Sequence, residues 1–297
     1  MLVSTPCNFC NSDNYTTLAH VTLSPIHERS WLVRCKRCGL AYVNPRPTLE
    51  REREFYNHEY FKPEEERLWR EHRLPLLEKV LSRIESIIPR GRLLDVGCGK
   101  GYFLGVARKR GWQAVGVEVS STAVQFARDT LHLEVYSAEL KEAGLEANPF
   151  DVVTAWNVLD QIHDPLENLR EIYKTMRKGG LIALRVSNLH FHLYLHHVFN
   201  LINLSVHSKI KAPTVFHLYM FSPDTLRRFL REAGFVDIRI ENSILDPQVP
   251  DLVSLVGEVG EVVVRNTAYF WAQTLYYLSM GSLLVSPSLL AFARKPG

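Results

Sequence analysis

The chain has 297 residues, room for one large domain and an appendage. Apolar residues make up 46% and charged residues 23%, a globular balance that excludes a disordered chain and a core dependent on disulfides. A net charge of +3 is too mild to argue for a nucleic-acid partner by itself. The first residues, Met1-Leu2-Val3-Ser4-Thr5-Pro6, lack the basic region and apolar core of a secretory signal, so a cytoplasmic location is expected.

Four of the five cysteines precede Gly39 as two like pairs, Cys7-x-x-Cys10 and Cys35-x-x-Cys38. That spacing reads as a zinc ribbon over residues 1–47, with each pair on a tight knuckle and four thiolates forming a tetrahedron. Such a site has no open position, so its expected role is structural. Two disulfides or a redox C-x-x-C are the competing readings, and zinc is favoured in the absence of a secretory signal. His20 and His27, between the pairs, are expected in loops rather than as ligands. Asn44-Pro45-Arg46-Pro47 closes the ribbon as a stiff linker.

Residues 48–91 read as a linker and helical lid. The aromatic cluster Phe55-Tyr56-Asn57-His58-Glu59-Tyr60-Phe61 is either core or part of that lid. From Pro63 to Ile88 apolar residues recur close to i, i+3, i+4, predicting a long helix with a solvated Glu/Arg-rich face. Pro89-Arg90-Gly91 stops it.

Strands are then predicted at 92–97, 114–118, 133–137, 150–156 and 181–187, with helices near 101–110, 121–130 and 165–177. This alternation implies an α/β fold, a parallel sheet with helices on both faces and ligands beyond the carboxyl ends of its strands. The first strand runs into Asp95-Val96-Gly97-Cys98-Gly99-Lys100-Gly101. Glycines there permit positive φ and close backbone approach, and the next helix offers unpaired N–H groups. The second strand, Gln113 to Glu118, ends in a carboxylate suited to ribose hydroxyls. The glycine spacing is not G-x-G-x-x-G, and Asp95 would repel a pyrophosphate but not a cation.

This stretch resembles motif I of class I S-adenosylmethionine-dependent methyltransferases, whose usual form is close to D-x-G-C-G-x-G. The resemblance continues through Phe150-Asp151-Val152-Val153-Thr154-Ala155-Trp156-Asn157-Val158-Leu159, Pro165-Leu166-Glu167-Asn168-Leu169-Arg170-Glu171 and Met176-Arg177-Lys178-Gly179-Gly180. It resumes at His217-Leu218-Tyr219-Met220-Phe221-Ser222-Pro223. It implies a Rossmann-like seven-stranded sheet within residues 92–297, its last two strands, near Phe235–Glu241 and Ser288–Arg294, paired antiparallel at one edge. It also implies S-adenosylmethionine as cofactor, with the backbone of Gly97, Cys98, Gly99 and Gly101 close to its amino-acid part and Asp95 holding the ammonium group. Glu118, next to Val119, would take the ribose hydroxyls with both carboxylate oxygens, and Glu139 and Leu140 would meet the adenine edge. Asn157 and Val158 would wall the sulfonium, and Tyr60, Phe61, Tyr102 and Phe103 would pack on the cofactor. His217 is the candidate base, and Tyr219 would orient the acceptor. Relatives often carry Glu-His in an L-E-H-V pattern after the fourth strand; here Asp160-Gln161 stand there, with His163 beyond.

Two inserts interrupt the pattern, at about 189–216 and 246–287. The first, rich in histidine, leucine and aromatics, reads as a lid over the substrate. His190, His192, His196 and His197 lack flanking carboxylates and are read as surface histidines of a helix rather than a metal cluster. In the second, residues 266–293 contain no charged residue, long enough to raise a membrane span. Gln273, Thr274, Ser279, Gly281, Ser282 and Pro287 interrupt it, so an apolar helix covering the core or lid is expected, with membrane-surface contact as the alternative. Three functions compete. The first is methyl transfer to oxygen or carbon of a small-molecule acceptor, bulky or partly apolar. The second is ribosomal RNA methylation with the ribbon reading RNA, for which Arg34, Lys36, Arg37 and Arg46 supply only a small patch. The third is cofactor binding without catalysis.

Overall fold

The computed structural model describes residues 2–23, 28–51, 54, 74–206, 217–243, 267, 270–272 and 274–297. The aromatic cluster with Tyr60 and Phe61, His27, the predicted helix before Leu74 and parts of both inserts lie outside the described residues.

The N-terminal part contains β1 (Leu2–Val3), β2 (Tyr15–Leu23), β3 (Glu28–Cys35), β4 (Ala41–Val43) and β5 (Arg46–Pro47). Next come α1 (Leu74–Ile87), β6 (Arg92–Val96), α2 (Tyr102–Lys109), β7 (Gln113–Glu118), α3 (Ser121–Asp129) and β8 (Glu134–Ser137). The chain continues with β9 (Phe150–Trp156), α4 (Pro165–Thr175), β10 (Met176–Ser187), α5 (Leu189–Val206), β11 (Tyr219–Met220), α6 (Pro223–Glu232), β12 (Val236–Asn242) and β13 (Ser288–Arg294).

β6, β9 and the part of β10 from Leu181 onward are mainly apolar and buried on both faces, which is what a parallel sheet covered by helices requires. The seven-stranded sheet has the order β12-β13-β10-β9-β6-β7-β8. β6 pairs in parallel with β7 on one side and β9 on the other, so the chain reverses its direction of travel across the sheet beside β6. That is the place where an open α/β sheet leaves a crevice at its carboxyl ends. β13 pairs antiparallel with both β10 and β12, as expected for the edge. β10 begins five residues earlier than expected, at Met176 rather than 181, because an irregularity between Met176 and Leu181 lets it rejoin β9.

Local chemistry sets the helix starts. Ser120 accepts a hydrogen bond from the N–H of Ala123 at α3, and Asp164 accepts from that of Glu167 at α4. Ser222 and Thr225 form a reciprocal cap at α6. Pro165 and Pro223 occupy first-turn positions, where a missing N–H costs nothing. Under the glycine-rich turn, Gly116 of β7 makes room for its neighbours. A Cβ there would lie 2.5 Å from Cys98 Sγ and 2.6 Å from Leu104 Cδ1. Gly116→Ala is therefore expected to cost about 2 kcal/mol by overpacking, read as a lower urea midpoint at unchanged slope.

The N-terminal unit is more than an appendage. β2, β3 and β4 form an antiparallel sheet, and its outer strand is completed by β11 from the far end of the chain, giving the order β11-β4-β3-β2. Arg46–Pro47, expected as a linker, pairs as β5 with β1. His20 lies in β2 and stacks on Trp31, rather than in a loop. Cys7, Val33, Cys35, Cys38, Leu40 and Tyr42 share one buried cluster with Leu94, Val153 and Phe229 of the larger unit. Phe9 packs on Phe229, and Arg228 donates to the carbonyl of Cys38.

Both inserts leave the sheet at its carboxyl end. β10 ends at Ser187, whose register partner Ser288 begins β13. Asn188 clamps the two inserts together: its side-chain amide donates to the carbonyls of Leu284 and Ser286, and its N–H to that of Pro287.

Candidate functional site

β6 and β7 end side by side, each in a carboxylate-bearing turn. Asp95 sits in β6 opposite Thr154 of β9 and is fully buried. Its Oδ1 accepts the Thr154 hydroxyl at 2.6 Å. Burial pushes its pKa up to about 8, the Thr154 bond opposing and the charge of Glu118 adding. After β6 the backbone turns through Gly97, Gly99 and Gly101, all at positive φ (66, 54 and 78°). The N–H groups of Gly97 and Cys98 both donate to the Val117 carbonyl, which ties the turn to β7. The side chain of Cys98 is buried under the turn, so Cys98 faces a ligand site through its backbone alone.

Glu118 ends β7, also buried. Its Oε2 accepts from the Gly99 N–H at 2.8 Å, and its Oε1 from the N–H groups of Val119 and Ser120, each at 2.9 Å. Burial raises its pKa, and these three bonds pull it back. With both lone pairs of Oε1 used, Oε2 keeps the spare acceptor capacity. The two-oxygen clasp of a ribose expected from the sequence is thus reduced to one oxygen in this arrangement. Among the described residues, neither buried carboxylate has a cationic partner, so the crevice presents uncompensated acid. That donor set fits a ligand with a cationic part and hydroxyl donors.

The other candidate residues divide. Val119 is exposed just beyond Glu118. Glu139 and Leu140 open a short 3-10 turn after β8, where the Leu140 side chain is buried in the core. Asn157 follows β9 at φ 57°, and its Oδ1 accepts from Arg185 at 2.7 Å. Val158 lies against the first glycine: a Cβ at Gly97 would stand 2.5 Å from Val158 Cγ2. Tyr102 meets Phe126 edge to face. Phe103, expected to pack on the cofactor, is instead a core residue, fully buried and edge-on to Trp156. It points down from α2 into the sheet, as the apolar stripe of that helix demands.

Tyr219 is also corrected. Its hydroxyl donates to the His163 carbonyl at 2.8 Å and accepts from Arg46, and its ring is fully buried on the ribbon side. It joins the ribbon to the loop after β9 and has no hydroxyl to offer an acceptor. Tyr219→Phe is expected to lower the melting temperature by a few degrees, about 1 kcal/mol, with S-adenosylmethionine affinity unchanged. His217, two residues earlier, is half-buried and close enough to His192 to act on it electrostatically. His192 is not the surface histidine expected: it is buried, bonded through Nε2 to the Pro287 carbonyl, and driven down to about 4 by burial and by His217. His190 and His197 are exposed as expected.

Three polar residues here have partners that the sequence did not assign. Thr154 holds Asp95. Asp160 is fully buried, with Oδ2 accepting the Ser187 N–H and its carbonyl the Tyr219 N–H. Arg185 is buried at the end of β10, donating to Asn157 and Ser243. Thr154 and Arg185 were legible as polar residues within apolar runs, a signal that marks a buried partner without saying which; Asp160, between Leu159 and Gln161, carried no such signal.

In the ribbon, the sulfurs of Cys7, Cys10, Cys35 and Cys38 all lie within 4.8 Å of one another, with Cys7 and Cys38 at 3.4 Å and Cys10 and Cys35 at 3.5 Å. All are free thiols, not disulfides. A tetrahedral ion with Zn–S bonds of about 2.3 Å spaces sulfurs about 3.8 Å apart, so the cage fits that ion. Tyr42 adds a second sign: its buried hydroxyl has no hydrogen-bond partner among the described residues and lies in the field of Cys7, Cys35 and Cys38.

The match to known proteins agrees with this geometry. Residues 68–240, more than half the chain, fit the family described as a methyltransferase domain, and the chain belongs to that family of S-adenosylmethionine-dependent methyltransferases. It is 27% identical over 157 residues to a ubiquinone biosynthesis O-methyltransferase of Aromatoleum aromaticum, covering 48% of this chain and 63% of that one. It is 30% identical over 125 residues to the Vibrio cholerae protein of the same name, covering 40% and 51%. The chain thus spans between half and two thirds of these relatives' length. Among solved structures, phosphoethanolamine N-methyltransferase 2 of Haemonchus contortus, in complex with S-adenosyl-L-methionine, superposes with a TM-score of 0.55 at 16% identity, covering 91% of this chain and 64% of that one. The plantazolicin methyltransferase, in complex with S-adenosylhomocysteine, gives 0.51 at 18% identity, covering 84% and 96%. These two share the fold. Among the described residues no helix is long and apolar enough to cross a membrane.

Proposed function

We propose that this chain transfers a methyl group from S-adenosylmethionine to an oxygen or carbon of a small-molecule acceptor. The observation that carries the reading is the pair of buried acids, Asp95 and Glu118, at the carboxyl ends of β6 and β7, without cationic partners among the described residues. S-adenosylmethionine supplies a methyl group already activated by its sulfonium. The protein therefore has to align the acceptor and keep water out. In this reading Asp95 holds the ammonium end, directly or through water, and Glu118 takes a ribose hydroxyl through Oε2. The backbone of Gly97, Cys98, Gly99 and Gly101 lines the amino-acid part, and Glu139 and Leu140 offer backbone groups to the adenine. Asn157, fixed by Arg185, and Val158 wall the reacting side. His217 accepts the proton of the acceptor, as its half-exposed position beside the buried His192 allows. Cys7, Cys10, Cys35 and Cys38 hold Zn2+ in a structural role.

The RNA reading draws less support. Arg46, one of its four basic residues, is turned inward onto the His163 carbonyl and Tyr219. The test is isothermal titration with S-adenosylmethionine, then thermal shift with phenols, nucleotide sugars, lipids and RNA in its presence. No affinity for the cofactor or its demethylated product overturns the reading, and an RNA-selective shift replaces the acceptor class.

Asp95 makes the binding pH-dependent. A cation beside it lowers its pKa from about 8, so cofactor binding at pH 7 is expected to release up to one proton and to strengthen as pH rises from 6 to 8. Titrations in two buffers of different ionisation enthalpy measure the release. Without ligand, the folded protein holds this proton above the ordinary carboxylate range while the unfolded chain loses it. The stability it contributes is thus full below about pH 4 and lost as pH rises through 8. Asp95→Asn keeps an acceptor for Thr154 and removes that loss, so its melting temperature should gain on the native protein between pH 5 and 8.

A further inference from the structure

The two inserts carry most of the large apolar side chains left in water. Of the fourteen exposed large hydrophobics described, nine are theirs, among them Tyr194, Phe270, Trp271, Tyr277, Leu278 and Met280. Met280 is 96% exposed and Leu278 77%. Single exposed leucines need no explanation, but nine such side chains on two segments that leave the sheet at the same end mark a contact surface. It lies at the carboxyl end of the sheet, the end that bears Asp95 and Glu118, because β10 and β13 deliver both inserts there.

The polar groups of this surface say what covers it. The Thr274 hydroxyl donates to the Phe270 carbonyl at 2.8 Å, Ser279 to Tyr276 at 3.0 Å, and Ser282 to Ser279 at 2.8 Å. The three aliphatic hydroxyls between Phe270 and Leu283 are thus folded back onto their own segment. A protein partner would meet a rim of hydrogen-bonding groups around an apolar centre; inward-turned hydroxyls and bare carbon suit lipid, where every polar group must be satisfied internally. Charge agrees. Residues 266–293 contain no charged residue. The acids of the second insert, Asp246, Asp251, Glu258 and Glu261, all precede the uncharged run. Trp and Tyr with apolar bodies and polar tips settle at the level of lipid headgroups, with Phe, Leu and Met below.

We propose that this surface docks on a lipid bilayer and so brings a bilayer-resident acceptor to the carboxyl end of the sheet. The docking stands on the surface alone; the acceptor clause rests on the methyl-transfer reading. The test sediments the full chain with vesicles of phosphatidylcholine containing one-third phosphatidylglycerol, and with phosphatidylcholine alone, while S-adenosylhomocysteine affinity is titrated on the same protein. Binding is expected to both kinds of vesicle, and at least about tenfold reduced in Leu278→Glu/Met280→Glu. The melting temperature and S-adenosylhomocysteine affinity of that variant should match the native protein. Protein left in the supernatant with both vesicles overturns the proposal. So does a dimer seen by light scattering that the double substitution dissolves, which assigns the surface to a second copy. Vesicle binding without affinity for S-adenosylhomocysteine removes the methyl-transfer reading and the acceptor clause and leaves the docking surface.

Discussion

Cys35→Ser is expected to reduce zinc content from about one ion per chain to near zero and to lower the melting temperature by roughly 10 °C or more. Cys35 ends β3, fully buried, with its sulfur 3.5 Å from that of Cys10. A hydroxyl does not replace a thiolate in a tetrahedral cage. The cost then spreads, because the ribbon shares its core with Leu94, Val153 and Phe229. Loss of a structural metal belongs to the few single changes that cost about 4–5 kcal/mol. A second readout distinguishes this coupling from local damage. β11 is held by β4, and the loop after β9 by Arg46 and Tyr219. Amide exchange should therefore rise at 158–164 and 218–221 in the variant and stay slow at 93–96 and 115–117. An unchanged melting temperature with zinc lost would show that the ribbon folds without its ion.

The second large effect is at Glu118. Glu118→Gln should weaken S-adenosylmethionine binding at least about 100-fold, or about 2.7 kcal/mol. The substitution keeps size and removes charge. It also places an amide N–H2 where either oxygen now accepts a backbone N–H, from Gly99 on one side or Val119 and Ser120 on the other. One of these donors must face another donor, which the buried site cannot repair with water. The turn after β6 loosens and the ligand loses its hydroxyl acceptor together. Titration calorimetry reads the affinity, and the urea midpoint reads the turn. Affinity within threefold of the native value would remove Glu118 from the ligand site.

Much of the frame was legible in the chain itself. Apolar runs at regular spacing, closed by Ser120, Asp164-Pro165 and Ser222-Pro223, placed the strands and helices of the core to within a few residues. The paired C-x-x-C spacing announced two knuckles, each local in geometry, whose meeting sets Cys7 beside Cys38 and Cys10 beside Cys35. The acids at the ends of β6 and β7 were visible because strand ends and ligand crevices coincide in this architecture. Residues whose role depends on a distant partner were not. Phe103 looked like a cofactor contact until Trp156 claimed its edge. Tyr219 looked like an acceptor contact until Arg46, 173 residues away, took its hydroxyl.

The sequence by itself determined the alternation of elements, the glycine turn and the metal-binding spacing, since backbone freedom, capping and hydrophobic period act over a few residues. Only the tertiary structure decided that the N-terminal unit and the larger one share a sheet through β11, that Arg185, Asp160 and Thr154 are buried polar partners, and that both inserts emerge at one end. Those outcomes depend on which surfaces meet across long stretches of chain, and the burial that selects them is fixed by area and fit, which no local pattern encodes.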